Sequence, residues 1–170
     1  MRLLLGLLLC WLPVSLLAQR SVGLTEKEMK DLVGNWSGTM VYTGSGTEKV
    51  QITVQVKLEV VDRKDSLVFN YTYTDPAGKE TKEKNSFRIY EEGNRLSFDG
   101  AQFDIVDTRR RGPRITIIAE REGAENFRAA DYQEMINFGP SILNFTNGIR
   151  YMDMSDAYAI RKRVTLTKNK

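Results

Sequence analysis

The sequence of 170 residues contains no histidine. This absence excludes several kinds of catalytic and metal-binding site. Without an imidazole, neither a Ser-His-Asp triad nor a Cys-His pair can be assembled. Zinc and iron lose their usual nitrogen ligand, and haem loses its usual axial ligand. We therefore expect a protein with no resident metal or cofactor.

Cysteine is almost as scarce, because the single one, Cys10, lies in an apolar leader. Arg2 is followed by a leucine-rich run, and Ala18 supplies a small residue before a cleavage point, which is the pattern of a secretory signal peptide. This run is too short to be a permanent membrane-spanning helix. We expect residues 1–18 to be removed and residues 19–170 to form one exported domain, periplasmic or extracellular, that folds without a disulfide.

A large excess of charge of one sign is also absent. The 25 Lys and Arg side chains nearly balance the 22 Asp and Glu side chains, which gives a formal net charge of +3. Such a balance does not predict binding to nucleic acid or attraction to a membrane surface. Beyond the leader no apolar stretch reaches membrane-spanning length, so we do not expect the mature protein to be embedded in a bilayer.

The mature chain begins with a helix signature and continues with period-two alternation. Thr25 and Glu28 have the spacing of a capping box, and Gly34 stands where a left-handed C-terminal cap would lie. These signals predict a short amphipathic helix over 25–33. Further along, apolar and polar residues alternate, most regularly over 50–60, as in an antiparallel strand with one buried face.

Strand-length segments separated by Gly, Pro, Asn and Asp continue to the end of the chain. The predicted strands are 36–43, 50–60, 67–73, 81–90, 94–98, 101–107, 113–121, 127–137, 141–151 and 157–167. The segment 127–137 also contains good helix formers, but its flanking strands leave little room for a helix. The fold class predicted is all-β: an antiparallel up-and-down meander closed into a barrel of about 8–10 strands, preceded by one short helix.

The order of these features resembles the calycins, the superfamily of lipocalins and fatty-acid-binding proteins. A short helix precedes Gly34-Asn35-Trp36 at the start of the first strand, a meander follows, and the last strand carries a basic residue, Arg161 or Arg163. The tail, with Ile149-Arg150-Tyr151 and Tyr158-Ala159-Ile160-Arg161, resembles bacterial lipocalin-like domains. The resemblance implies that Trp36 plugs the closed end of the barrel and that Arg161 or Arg163 packs across it. Haem-binding members of the superfamily use a histidine that this chain lacks.

The resemblance also implies that the barrel interior binds a small hydrophobic molecule. The residues predicted to line the ligand site alternate inward on the first three strands: Gly38, Met40, Tyr42, Val54, Val56, Phe69, Tyr71 and Tyr73. Apolar walls would bury the body of the ligand, and a tyrosine hydroxyl or an interior arginine would hold its polar end. The same alternation suits a solid core, so a cell-envelope interaction module that binds a protein through its loops is the alternative.

Two further patterns have ordinary interpretations. The run Arg109-Arg110-Arg111 lies beside Gly112-Pro113, where charge would keep the tip of a hairpin in solvent. No two carboxylates are predicted to share a pocket, so an enzyme is not expected. After the ligand carrier and the interaction module, the third hypothesis is an enzyme. It would be a cyclase or isomerase without a nucleophile, which would use tyrosine, arginine and carboxylates at the barrel mouth.

Overall fold

The computed structural model describes residues 23–43, 50–154 and 156–169. The predicted signal peptide, 1–18, lies outside these residues, as does the glycine-rich break at 44–46. No described helix combines the length and the apolar character needed to cross a membrane. The described residues also contain no group of three or more His, Cys, Asp and Glu side chains arranged to hold a metal ion.

The described chain forms one short helix and a closed barrel of ten antiparallel strands. Helix α1 spans Glu26–Lys30, and the strands are β1 Gly34–Thr43, β2 Gln51–Arg63, β3 Ser66–Thr74, β4 Glu80–Tyr90, β5 Arg95–Phe98, β6 Ala101–Arg111, β7 Arg114–Glu125, β8 Arg128–Phe138, β9 Ile142–Tyr151 and β10 Ala159–Lys168. Each strand pairs with the next, and β10 pairs with β1 to close the barrel. The predicted fold class is confirmed with ten strands, and the ambiguous segment 127–137 is strand β8.

The helix is shorter than predicted. The expected capping box is present, because Thr25 Oγ1 accepts from the Glu28 N–H at 3.2 Å and Glu28 Oε2 accepts from the Thr25 N–H at 2.9 Å. The helix ends early because Leu32 turns into the core, where its carbonyl accepts a hydrogen bond from the Trp36 indole. Gly34 is therefore not a helix cap. It opens β1 with a φ of +134°, a value that favours glycine.

A bulge in β6 changes which of its arginines face inward. The pairing of β6 with β7 shifts between Ile105 and Asp107, and the bulged residue, Val106, is exposed. Beyond the bulge Arg110 pairs with Ile115, which is buried, so both lie on the inner face. The interpretation of the whole arginine run as a solvated hairpin tip is therefore wrong for Arg110, which contacts α1.

The two ends of the barrel differ. We call the end where β1 begins, which is covered by α1, the closed end; the open end is where β1 stops and β2 starts. Four buried rings fill the middle of the barrel, with centroids 5.5–6.0 Å apart: Phe69, Phe87, Phe98 and Phe145. Between this cluster and the closed end the interior is lined by buried aliphatic residues. This part of the barrel is therefore a packed core.

Candidate ligand site in the open half of the barrel

Trp36 lies at the closed end, but the cation above it is not one of the two arginines that the resemblance implied. The Trp36 side chain is 1% exposed, and its Nε1 donates to the Leu32 carbonyl at 2.9 Å. The Lys168 ammonium lies 5.0 Å from the centroid of the Trp36 ring. The register explains the difference, because β10 runs toward the closed end and its last residue, Lys168, pairs with Trp36.

The two arginines lie elsewhere on β10. Arg161 is near the open end, where its Nη2 donates to Glu125 at 3.0 Å and to the Tyr151 hydroxyl at 2.9 Å. Arg163 is exposed and pairs with Thr146, on the outer face of the barrel. Neither arginine is close enough along the strand to pack across Trp36.

We call the part of the barrel interior between the packed core and the open end the open half. The eight residues predicted to line a ligand site divide between the packed core and this open half. The register places all of them on the inner face: Gly38, Met40, Tyr42, Val54, Val56, Phe69, Tyr71 and Tyr73. Phe69 is fully buried among other rings, and Val54, Val56 and Tyr71 are buried as well. Met40, Tyr42 and Tyr73 are only partly buried. Access to a ligand thus decreases from the open end toward the core.

Gly38 allows a close approach between strands. A Cβ atom at this position would lie 2.0 Å from the Thr165 carbonyl oxygen and 3.0 Å from the Leu166 Cα. β1 therefore approaches β10 more closely than any side chain would allow. A substitution at Gly38 would separate the two strands that close the barrel, so it would not report on ligand binding.

A belt of polar side chains crosses four adjacent strands above the packed core. The register aligns Tyr42 on β1 with Lys162 on β10, Lys162 with Asn147 on β9, and Asn147 with Glu134 on β8. At the next inward position toward the closed end the same strands carry apolar residues: Met40, Val164, Phe145 and Ile136. We call Tyr42, Lys162, Asn147 and Glu134 the polar belt, and it marks the level at which the apolar core stops.

Glu134 is the buried acid of the polar belt. Its side chain is 7% exposed, and its Oε1 accepts a hydrogen bond from Asn147 Nδ2 at 2.6 Å. Burial raises the pKa of Glu134 to about 7 and outweighs the Asn147 hydrogen bond and the Lys162 charge, which lower it. Asp99 raises this pKa further, and Arg121 lowers it. Glu134 therefore exchanges its proton near neutral pH.

Arg121, on β7, lies beside the polar belt. Its register partner is Tyr132, whose ring centroid lies 3.9 Å from the guanidinium carbon, and the Phe103 ring lies 5.5 Å away. Such stacking is favourable for a guanidinium and holds it in place. The Nε of Arg121 is buried and has no hydrogen-bond acceptor among the described residues. Arg121 thus brings an unused donor next to the belt.

The barrel wall is incomplete on the opposite side of the open half. β4 pairs with β5 only over Phe87 to Tyr90, and the pairing of β6 with β7 reaches only to Glu120. In the described chain, residues 80–86 of β4 and 121–125 of β7 therefore have a paired strand on one side only. The mouth at the open end extends down the side of the barrel as a gap between β4 and β7.

The inner face of β4 shows that solvent enters this gap. Thr81 and Glu83 pair with Tyr73 and Tyr71 and so face inward, yet both are exposed. The two tyrosine rings are stacked, with centroids 5.4 Å apart and planes 9° apart. Burial and the nearby Glu83 raise the pKa of Tyr73 well above its usual value, so its hydroxyl stays protonated. The gap thus opens onto an aromatic surface, at which the Tyr73 hydroxyl is hydrogen-bonded to Glu83.

Five residues of the site were not predicted from the sequence: Glu83, Arg121, Glu134, Asn147 and Lys162. Two carboxylates were not expected to share a pocket, whereas Glu83 and Glu134 both face the open half. A signal was present, because Arg121, Asn147 and Lys162 share the inward parity of the apolar residues on their strands. On each of these strands the inward-facing apolar residues are followed, toward the barrel mouth, by an inward-facing polar residue. This pattern would have identified the site residues from the sequence.

Comparison with known proteins supports the fold and does not indicate a function. No protein-family model matches the sequence, and no curated protein matches it. The crystal structure of Rv2717c from M. tuberculosis is similar, with a TM-score of 0.61 and 11% sequence identity, over 85% of this chain and 96% of that one. The likeness is one of fold alone.

Proposed function

We propose that this protein is an exported, calycin-like protein that binds a small amphipathic molecule in the open half of its barrel. The observation that carries the proposal is the polar belt above the packed core, whose acid, Glu134, is only 7% exposed. Burying ionisable groups in a barrel costs free energy, so a barrel that served only as a scaffold would be expected to fill this level with apolar residues.

The two sides of the open half suit the two parts of an amphipathic ligand. The stacked rings of Tyr71 and Tyr73 offer apolar surface beside the gap between β4 and β7. The polar belt and Arg121 lie across the interior from them and offer hydrogen-bonding and charged groups. The packed ring cluster limits how deep a ligand can enter. The ligand is therefore small, and its polar end contacts β7 to β10.

Binding of an uncharged apolar dye, phenylnaphthylamine, tests the proposal. Thr81 faces the opening from the inner face of β4, and Lys82, the next residue, faces outward and is exposed. Thr81→Trp should fill the opening and weaken saturable dye binding by about tenfold or more, which corresponds to about 1.4 kcal/mol. The matched variant Lys82→Trp should leave binding unchanged. The proposal would be overturned if the folded wild-type protein bound no dye saturably. It would also be overturned if Thr81→Trp and Lys82→Trp bound the dye with equal affinity.

The envelope interaction module remains a second candidate, because the open end carries exposed apolar side chains. Phe127, at the tip of the β7–β8 hairpin, is fully exposed, and Met152 and Met154 lie in the neighbouring β9–β10 loop. Exposed apolar clusters commonly mark interaction surfaces. This candidate predicts a crosslink from a photoreactive residue at position 127 to one protein in intact cells, together with no saturable dye binding.

Export is tested separately. The leader motivates a mature N-terminus at or near Gln19. The mass of the protein recovered from whole cells should lack about the first eighteen residues. Recovery of only the full-length chain, from the cytoplasm, would refute export and leave the ligand site untouched.

A further inference from the structure

Two cationic side chains, Lys162 in the polar belt and Arg121 beside it, have no anionic partner in the described chain. None of its ion pairs involves Lys162 or Arg121. The Nε of Arg121 is buried and without an acceptor. Both cations lie near enough to Glu134 to lower its pKa, yet neither forms an ion pair with it. Two donors and one acid therefore face a common region without satisfying one another.

Resting on the proposed function, we propose that the ligand is an anion whose charged group binds Lys162 and Arg121, and that Glu134 takes up a proton when it binds. Two negative charges held close together in a buried site repel each other, so one of them becomes neutral. The proton comes from solvent, and no covalent bond of the ligand forms or breaks. Protonated Glu134 becomes a hydrogen-bond donor to the anion, while Asn147 continues to donate to its other oxygen.

Among the acidic groups around the site, Glu134 is the one that takes up the proton when the anion binds. Lys162 on β10 and Arg121 on β7 favour its carboxylate, whereas Asp99, in the turn between β5 and β6, disfavours it. On β3, burial raises the pKa of Tyr71 well above its usual value, so that hydroxyl stays protonated. Glu83, on β4, is exposed and pairs with Tyr71.

Two dyes that share one aromatic frame separate this inference from the proposed function. Anilinonaphthalene sulfonate carries a sulfonate that stays charged over the whole range, and phenylnaphthylamine lacks it. With a Glu134 pKa of about 7, affinity for the anionic dye should fall about tenfold between about pH 6 and pH 8. Affinity for the neutral dye should not change over the same range.

Matched variants assign the pH dependence to Glu134. Glu134→Gln mimics the protonated acid and can still accept from Asn147, so it should bind the anionic dye with the low-pH affinity at every pH. Glu122→Gln, at an exposed carboxylate on the outer face of β7, should keep the tenfold dependence. Lys162→Met should weaken binding of the anionic dye by a larger factor than binding of the neutral dye.

If Glu134→Gln does not fold, proton uptake can be measured directly on the wild-type protein. Calorimetry in two buffers of different ionisation enthalpy should show uptake of about half a proton per anionic dye near pH 7, and none for the neutral dye. Binding of both dyes with one pH profile, or a Glu134→Gln variant that keeps the dependence, would overturn the inference alone. Failure of both dyes to bind would overturn the proposed function as well.

Discussion

Arg110 and Glu28, 82 residues apart in the chain, form a short ion pair that holds helix α1 to the barrel. Arg110 Nε donates to Glu28 Oε1 at 2.6 Å, and its Nη2 donates to Oε2 at 3.0 Å and to the Gly23 carbonyl at 2.7 Å. The β6 bulge at Val106 makes this contact available, because it places Arg110 on the inner face. The closed end is therefore held by a charged contact as well as by apolar packing.

This pair predicts an acid-sensitive component of stability. The Arg110 hydrogen bond lowers the pKa of Glu28 from 4.5 to about 2, so the pair stabilises the fold fully above about pH 4.5 and is lost as the pH falls toward 2. Because the pair is partly exposed, solvent screening limits its contribution to about 1 kcal/mol. Urea unfolding should show Glu28→Gln less stable than wild type at neutral pH, with the difference shrinking in acid. Glu26→Gln, on the same helix, should show no such trend.

Trp36 predicts a large stability effect with two separable parts. Trp36→Ala removes a buried aromatic side chain and should lower the free energy of unfolding by about 3–5 kcal/mol. Trp36→Phe keeps most of the packing but leaves the Leu32 carbonyl without its donor, and should lower it by about 1–3 kcal/mol. Denaturant melts measure both. A loss below about 1 kcal/mol for Trp36→Ala would contradict its assignment as the plug of the closed end.

Glu134 predicts a fold that is less stable at alkaline pH. Its pKa is raised from 4.5 to about 7 on folding, so the native state binds more protons than the unfolded chain between these values, and stability falls as the pH rises through them. Glu134→Gln should remove this fall and be more stable than wild type at about pH 8 by up to about 3 kcal/mol. Near pH 5 the two proteins should differ little. An equal difference at both pH values, or the same trend in Glu122→Gln, would show that another group is responsible.

The tip of the β7–β8 hairpin predicts a stabilising substitution. Asn126 and Phe127 form a two-residue turn with φ values of 51° and 63°, a conformation that asparagine adopts readily and that strains the backbone of a bulky residue. Phe127 is also fully exposed, so it has no packing to lose. Phe127→Gly should raise the free energy of unfolding by about 1 kcal/mol, and Asn126→Gly should change it much less. Thermal or urea melts that show Phe127→Gly destabilised would contradict the strain.

Most of the fold could be predicted from the sequence because its signals are local. Alternation with a period of two marks each strand and its inward face, as the run Val54 to Val60 illustrates. The Thr25–Glu28 capping box marks the start of the helix. The end of the helix was predicted too late, because the Trp36 indole bonds to the Leu32 carbonyl, a tertiary contact that no local pattern contains.

The sequence by itself determined the class of fold, the approximate position of each strand segment and, outside the β6 bulge, which side chains face inward, because each of these depends on a few neighbouring residues. Only the tertiary structure decided the site. Strand parity puts Glu134, Asn147 and Lys162 inside, but their meeting at one level depends on the register that barrel closure imposes. Two other features affect residues far from themselves in the sheet. The bulge at Val106 turns Arg110 toward the helix, and the short β5 leaves the gap beside β4. Register and closure are properties of the whole sheet, so no single strand encodes them.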